Sequence, residues 1–205
     1  MLHNTECTGP FQTSRTLILA SASPRRRELL AAAGVKFSVE PSLAQEPPAE
    51  KGQEPLGYAS ENARIKAMEV ASRFPDAAVI GADTIVVLED KILGKPSGPG
   101  QAVEMLSSLC GREHTVITAC CLAVINGSRM FHAQTRVWLA AQDRAVVEAY
   151  VAGGEPLDKA GSYAVQGCGA FMVSRLEGSY TNVVGFPMEM VIPVLLQEGV
   201  ISVRK

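Results

Sequence analysis

The chain has 205 residues, 47% of them apolar, and a formal net charge of -2. That length carries one domain or two small lobes, and the near-neutral balance excludes the global basic field on which nucleic-acid binders rely. No apolar run approaches the ~20 residues that cross a bilayer as a helix, so no membrane partner is expected.

Residues 1–15, polar and carrying Gly9 and Pro10, read as a flexible N-terminal extension without a signal peptide's apolar centre. The rest, 16–205, reads as one domain. Leu17–Ala20 is a buried strand, and a helix over Pro24–Ala33 stops at Gly34. Val35–Val39 is a second strand, and Pro41 to Pro55 is a loop. From Leu56 to Phe74, Ala59, Ala63, Ala67, Val70 and Phe74 recur at amphipathic-helix spacing. Ala77–Gly81 and Thr84–Leu88 form a strand region around Ala82-Asp83, which turns at Glu89-Asp90. A helix lies within Ser97 to Gly111. Thr115–Ile125 and Met130–Leu139 are long β-rich runs joined by the hairpin signal Asn126-Gly127. Asp143 to Ala152 is helical with Asp143 as its cap. Leu157 to Tyr180 reads as strands and functional loops, and Pro187 to Gln197 as a closing helix kinked at Pro193. Early strand–helix alternation followed by a long hairpin predicts an α/β protein with a mixed sheet and two lobes around a cleft.

The residues Ser-Ala-Ser-Pro-Arg-Arg, 21–26, follow the first strand directly. Pro24 suits the first helical position, where its missing N–H has no partner to lose, and Ser23 can cap through its side chain. Free backbone N–H groups there favour anions, and Ser21, Ser23, Arg25, Arg26 and Arg27 make a polyphosphate site. The same residues also fit an ordinary capped helix with solvated arginines. Asp83 interrupts the apolar run Ala77 to Leu88, where a carboxylate is costly unless paired, metal-bound or functional. Gly81 permits close backbone approach beside it. A turn at Glu89-Asp90 brings Lys95 back toward the strand of Asp83, and a carboxylate with a lysine suits phosphate chemistry. Gln166, beside Gly167, can hydrogen-bond a base edge because an amide both donates and accepts. Lys66 and Glu46 are not promoted by spacing alone, and Asp158-Lys159 also fits a structural pair.

Five cysteines, with no Cys-x-x-Cys and no histidine cluster beside them, argue against zinc and for a reducing cytoplasm. P-loop, Gly-x-Gly-x-x-Gly and Gly-x-Ser-x-Gly motifs are absent, which disfavours common kinases and serine hydrolases.

Together, eight stretches in order resemble the Maf family of nucleoside triphosphate pyrophosphatases. They are Leu-Ala-Ser-Ala-Ser-Pro-Arg-Arg-Arg-Glu-Leu-Leu (19–30), Ala-Arg-Ile-Lys-Ala (63–67), Gly-Ala-Asp-Thr (81–84), Leu-Gly-Lys-Pro (93–96), Leu-Cys-Gly-Arg-Glu-His-Thr-Val-Ile-Thr (109–118), Pro-Leu-Asp-Lys-Ala-Gly-Ser-Tyr (156–163), Val-Gln-Gly (165–167) and Val-Val-Gly-Phe-Pro-Met (183–188). The resemblance implies an elongated mixed sheet with flanking helices and a deep nucleotide-binding cleft. It implies cleavage of a nucleoside triphosphate to the monophosphate and pyrophosphate, with a divalent cation, usually magnesium.

Asp83 matches the family's proton acceptor. Arg25, Thr84 and Gln166 match the branch acting on dTTP and UTP; the branch acting on 7-methyl-GTP differs there. Ser21, Ser23, Arg26, Glu46, Lys66 and Lys95 match polar residues lining the cleft. On this reading the start of the first helix holds phosphate, and Lys66 and Lys95 offset charge. Glu46 and Asp83 bind or orient the magnesium shell, and Gln166 with Thr84 reads the base. Gln45 stands where members often have a second carboxylate, and Phe186, Ser162 and Ala164 are milder departures. The partner is a nucleotide, not a nucleic acid, and a homodimer is a candidate assembly. The alternative reading is a nucleotide-binding regulator of septum formation with little catalysis.

Overall fold

Three long strands carry the fold because their sequences are apolar on one or both faces. A computed structural model describes residues 9–204 apart from residue 51. Its early elements are β1 (Phe11–Thr13), β2 (Leu17–Leu19), α1 (Pro24–Ala32), β3 (Ser38–Val39), α2 (Pro55–Arg73), β4 (Ala78–Leu88) and β5 (Lys91–Leu93). The chain continues through α3 (Pro99–Leu109), β6 (Glu113–Val124), β7 (Gly127–Leu139), α4 (Arg144–Ala152) and three short 3-10 turns between Glu155 and Met172. It closes with β8 (Val173–Glu177), α5 (Tyr180–Val184), α6 (Met188–Gln197) and β9 (Ile201–Val203). The main sheet has seven strands in the order β3-β2-β4-β6-β7-β8, with β5 added to β4. β2 runs parallel to β3 and β4, and the remaining pairs are antiparallel. This is the expected mixed α/β sheet with flanking helices.

The core divides as two lobes would. Leu17, Leu19, Ile80, Leu122 and Phe131 pack with Leu195 and Phe186 at one end of the sheet. Val86, Leu88, Val116 and Val137 pack with Leu106, Val147 and Tyr163 at the other. Between them, α2 lies on β4 and β6 through Ala59, Ala63 and Ala67. Gly81 makes that approach possible: a Cβ there would sit 2.7 Å from both the Ala63 carbonyl oxygen and the Ala67 nitrogen. Small residues at the crossing let the helix come close enough for its polar side chains to reach β4.

Several expectations are corrected. Residues 11–13 are not part of a loose extension; they pair antiparallel with Ile201–Val203, and the Arg204 guanidinium donates to the Gly9 carbonyl. Residues 1–8 of that expected extension lie outside the described residues. The second strand shrinks to Ser38–Val39, and the two runs around Asp83 merge into the single strand β4. The hairpin pairs Val124 with Gly127, so its loop is Ile125-Asn126, one residue earlier than expected. Gly127 has φ +138°, which suits glycine where the second strand begins. α6 runs on through Pro193, and Leu157–Tyr180 holds 3-10 turns and one strand, β8, rather than several strands.

Candidate active site

β4 is covered unevenly on one edge. β2 pairs with it at Ala78–Ile80 and β5 at Val86–Leu88, so Gly81–Ile85 have no strand partner on that side. The open edge forms the wall of a cleft of about 640 Å3, just beyond the carboxyl end of β2. Crevices at such strand ends are where open α/β sheets hold ligands. Ser21, Ser23, Arg25, Arg26, Glu46, Lys66, Asp83, Thr84, Lys95 and Gln166 all line it. Side chains alternate along a strand, so Asp83 faces α2 while Thr84 faces α1 and α5.

At one end, β2 delivers the chain into Ser21-Ala22-Ser23 and the first turn of α1. Ser23 occupies the cap position, but its side chain makes no capping hydrogen bond. This corrects the expected cap: the Ser23 N–H instead donates to Ser21 Oγ at 3.2 Å, and the Ser23 hydroxyl stays available to the cleft. Arg26 is engaged within the protein. Its Nε donates to the Gly185 carbonyl at 2.8 Å, Nη1 to Ser21 Oγ and the Ala82 carbonyl, and Nη2 to Thr84 Oγ1 at 3.0 Å. A guanidinium has five N–H groups, so about one remains for a ligand. Burial lowers its pKa from the ordinary value, opposed by the nearby Asp83 carboxylate. Arg26 therefore ties β2, β4 and α5 together, and Arg25 and Lys95 carry the freer charge.

Asp83 and Lys66 form the polar centre. Lys66 Nζ donates to Asp83 Oδ1 at 2.7 Å and reaches Glu46 Oε1 at 2.9 Å. Asn62, one turn before Lys66 on the same face of α2, donates to Asp83 Oδ2 at 3.3 Å. Both α2 side chains reach the strand because of the close crossing at Gly81. Glu46, from the long loop before α2, supplies the second carboxylate, while Gln45 is exposed. Among the described residues no three His, Cys, Asp or Glu side chains cluster as a metal cage. Two carboxylates already sharing one cation do fit Mg²⁺, which is commonly held by one or two carboxylates together with substrate phosphates and water.

At the other end, Gln166 leads into Gly167, which has φ +80°. The loop is fastened by Glu155, whose carboxylate accepts from the Cys168 and Gly169 N–H groups at 3.0 and 2.9 Å. Tyr150 donates its hydroxyl proton to Glu155 and accepts from the Ala164 N–H. Tyr163, on the cleft wall, bonds His114 Nε2 through its hydroxyl at 2.7 Å.

His114 is buried, its Nδ1 has no partner, and burial pushes its pKa down to about 4 from 6.5. The unfolded chain takes up this proton below about pH 6.5 and the folded protein only near pH 4, so stability falls as pH drops through that window. The loss amounts to about 3 kcal/mol when complete. Urea midpoints measured from neutral pH down to about pH 4 should fall more steeply in wild type than in His114→Gln. Parallel slopes would remove His114 as the source.

The comparisons with known proteins follow this geometry. The model of the Maf-like protein family matches residues 16–198. The chain belongs to the Maf-like family. A relative from Oleidesulfovibrio alaskensis, called dTTP/UTP pyrophosphatase, is 46% identical over 196 residues, 94% of this chain and 90% of its own length. A relative of the same name from Gloeobacter violaceus is 48% identical over 181 residues, 88% of this chain and 95% of its own. A solved nucleoside-triphosphatase (dITP/XTP pyrophosphatase) from Mycobacterium abscessus aligns over 90% of this chain and 96% of its own at 14% identity, with a TM-score of 0.45.

In this Maf-like chain, spacing does not single out Asn62 and Thr118, which contact Asp83 and Thr84, nor Asn182, which bonds Thr118, nor Glu155, which bonds the loop after Gln166. Asn62 carried a signal: an amide inside an alanine stripe, four residues before Lys66. Glu155 carried none, because its partners lie on the next turns and become neighbours only when the loop folds back.

Proposed function

We propose that the chain is a metal-dependent nucleoside triphosphate pyrophosphatase of the cytoplasm that prefers dTTP and UTP. The observation that carries this reading is Lys66, held between Glu46 and Asp83 at the open edge of β4. A carboxylate able to act as a base, a cation, and two carboxylates that suit Mg²⁺ beside the start of α1 support this reading. Mg²⁺, when bound, supplies charge neutralisation for the triphosphate. Residues 16–205 act as one unit, and β1 adds to it.

Ser21, Ser23, Arg25 and Lys95 hold the polyphosphate, and Arg26 positions the loop that does so. Asp83 accepts a proton from the water that attacks phosphorus, and the phosphoanhydride bond breaks. The products are the nucleoside monophosphate and pyrophosphate. Lys66 keeps the Asp83 carboxylate in place and offsets charge. Gln166 and Thr84 read the base, which supports the pyrimidine preference named for the relatives.

The purified full chain with Mg²⁺ and UTP or dTTP is expected to release pyrophosphate and the monophosphate but no orthophosphate. Nucleotide binding without pyrophosphate release would instead identify a regulator.

A further inference from the structure

The hydrogen-bond polarity of the Thr84 hydroxyl can be followed through the protein. A hydroxyl has one proton and two lone pairs. Thr118 Oγ1 donates its proton to the Asn182 carbonyl at 3.0 Å. Thr118 Oγ1 also lies 2.9 Å from Thr84 Oγ1, and the proton between them must then belong to Thr84. Arg26 Nη2 donates to Thr84 Oγ1 at 3.0 Å, occupying one lone pair. Thr84 is left with one lone pair and no free proton. Among the described residues the other acceptor within reach is the Gly185 carbonyl at 3.4 Å, too long to compete with Thr118 at 2.9 Å.

The far end of the relay is fixed. Asn182 is fully buried, and its amide donates to the Val116 carbonyl at 3.0 Å and to Thr135 Oγ1 at 2.9 Å. The backbone carbonyl of Asn182, a pure acceptor, faces Thr118 and also takes the Gly185 N–H at 2.9 Å. Thr118 is likewise fully buried and does not line the cleft.

We propose that Thr118 is a positioning residue that fixes Thr84 as an acceptor toward the cleft, so that the site selects pyrimidines whose ring N3 carries a proton. This inference rests on the pyrimidine triphosphate reading above. Uracil and thymine present N3–H, which Thr84 can accept. Cytosine presents a bare N3 lone pair, which faces the Thr84 lone pair and repels it. Phosphate oxygens are acceptors only, so Thr84 gives them nothing and belongs to the base.

The test is kcat/KM for UTP and CTP with Mg²⁺ on wild type, Thr118→Val, Thr118→Ala and Thr118→Ser, each checked by thermal melting. Without an acceptor at position 118 the Thr84 proton keeps only the long 3.4 Å contact to the Gly185 carbonyl, which an acceptor on the base can outcompete. Thr118→Val and Thr118→Ala should then narrow the UTP-over-CTP preference by about 10- to 100-fold, the scale of one mismatched buried hydrogen bond. Thr118→Ser keeps the acceptor and should keep the preference. A wild-type measurement stands independently of folding: N3-methyl-UTP, which lacks the N3 proton, should lose most of the activity seen with UTP. An unchanged ratio in folded Thr118→Val or Thr118→Ala, equal losses on both nucleotides, or full activity on N3-methyl-UTP would each overturn the relay. A wild-type chain that releases no pyrophosphate from UTP would overturn the functional reading itself, and the relay's role with it.

Discussion

Asp83→Asn is expected to lower kcat on dTTP by about 10²–10⁴-fold while leaving the fold and most nucleotide affinity in place. The substitution keeps the shape of the side chain and one acceptor oxygen for Lys66, which lies 2.7 Å away. What it removes is the ability to take a proton from water. Lys66 still has Glu46 at 2.9 Å, so its ammonium is not left buried without a partner. Steady-state rates, nucleotide titration and thermal melting separate the outcomes. Near-wild-type turnover would remove Asp83 from proton transfer. A collapsed melting temperature would make Asp83 a brace for α2 on β4, acting through its bonds to Lys66 and Asn62. Lys66→Met distinguishes the two further: as a base, Asp83 stays competent without its lysine, whereas the brace fails from either side.

What was legible in the sequence was local. Pro24 and Gly34 bracket α1 because proline and glycine constrain the backbone wherever they sit. The alanines of α2 disclosed their buried face by spacing, and all four buried positions among them and Val70 lie against the sheet. Asp83 was visible because a carboxylate inside an apolar run needs a reason. Lys66 and Glu46 came only from family resemblance. Their meeting depends on the crossing of α2 over Gly81 and on the path of the preceding loop, neither of which has a local signature. β1 was missed for the same reason: three residues of mixed polarity become a strand only because Ile201–Val203 offers an edge nearly the whole chain away. Arg26 reads as a phosphate ligand from its place at a helix start beside Ser21 and Ser23. Four of its five N–H groups go to Ser21, Ala82, Thr84 and Gly185, which no spacing brings together.

Gln166→Glu is expected to cut kcat/KM for UTP and dTTP by about 100-fold or more while the protein still folds. With Thr84 facing the base as an acceptor, the remaining need of a uracil edge is a donor for its carbonyl oxygen, which the Gln166 amide supplies. A carboxylate at that position has no proton to give at neutral pH and sets its charge against the carbonyl. The side chain cannot easily be drawn away, because Glu155 holds the following residues through two N–H groups and Tyr150. CTP offers a 4-amino donor that a carboxylate can accept, so CTP should lose less and the UTP-to-CTP ratio should fall. Glu155→Ala releases the loop and leaves the chemistry of Gln166 intact. It should weaken UTP and CTP together, chiefly through KM, because the amide then samples many positions. The two variants thus separate what Gln166 reads from what holds it there. If Gln166→Glu left the UTP-to-CTP ratio unchanged, the base would lie elsewhere in the cleft, and the assignment through Arg25, Thr84 and Gln166 would fail while Asp83 and Lys66 kept their roles.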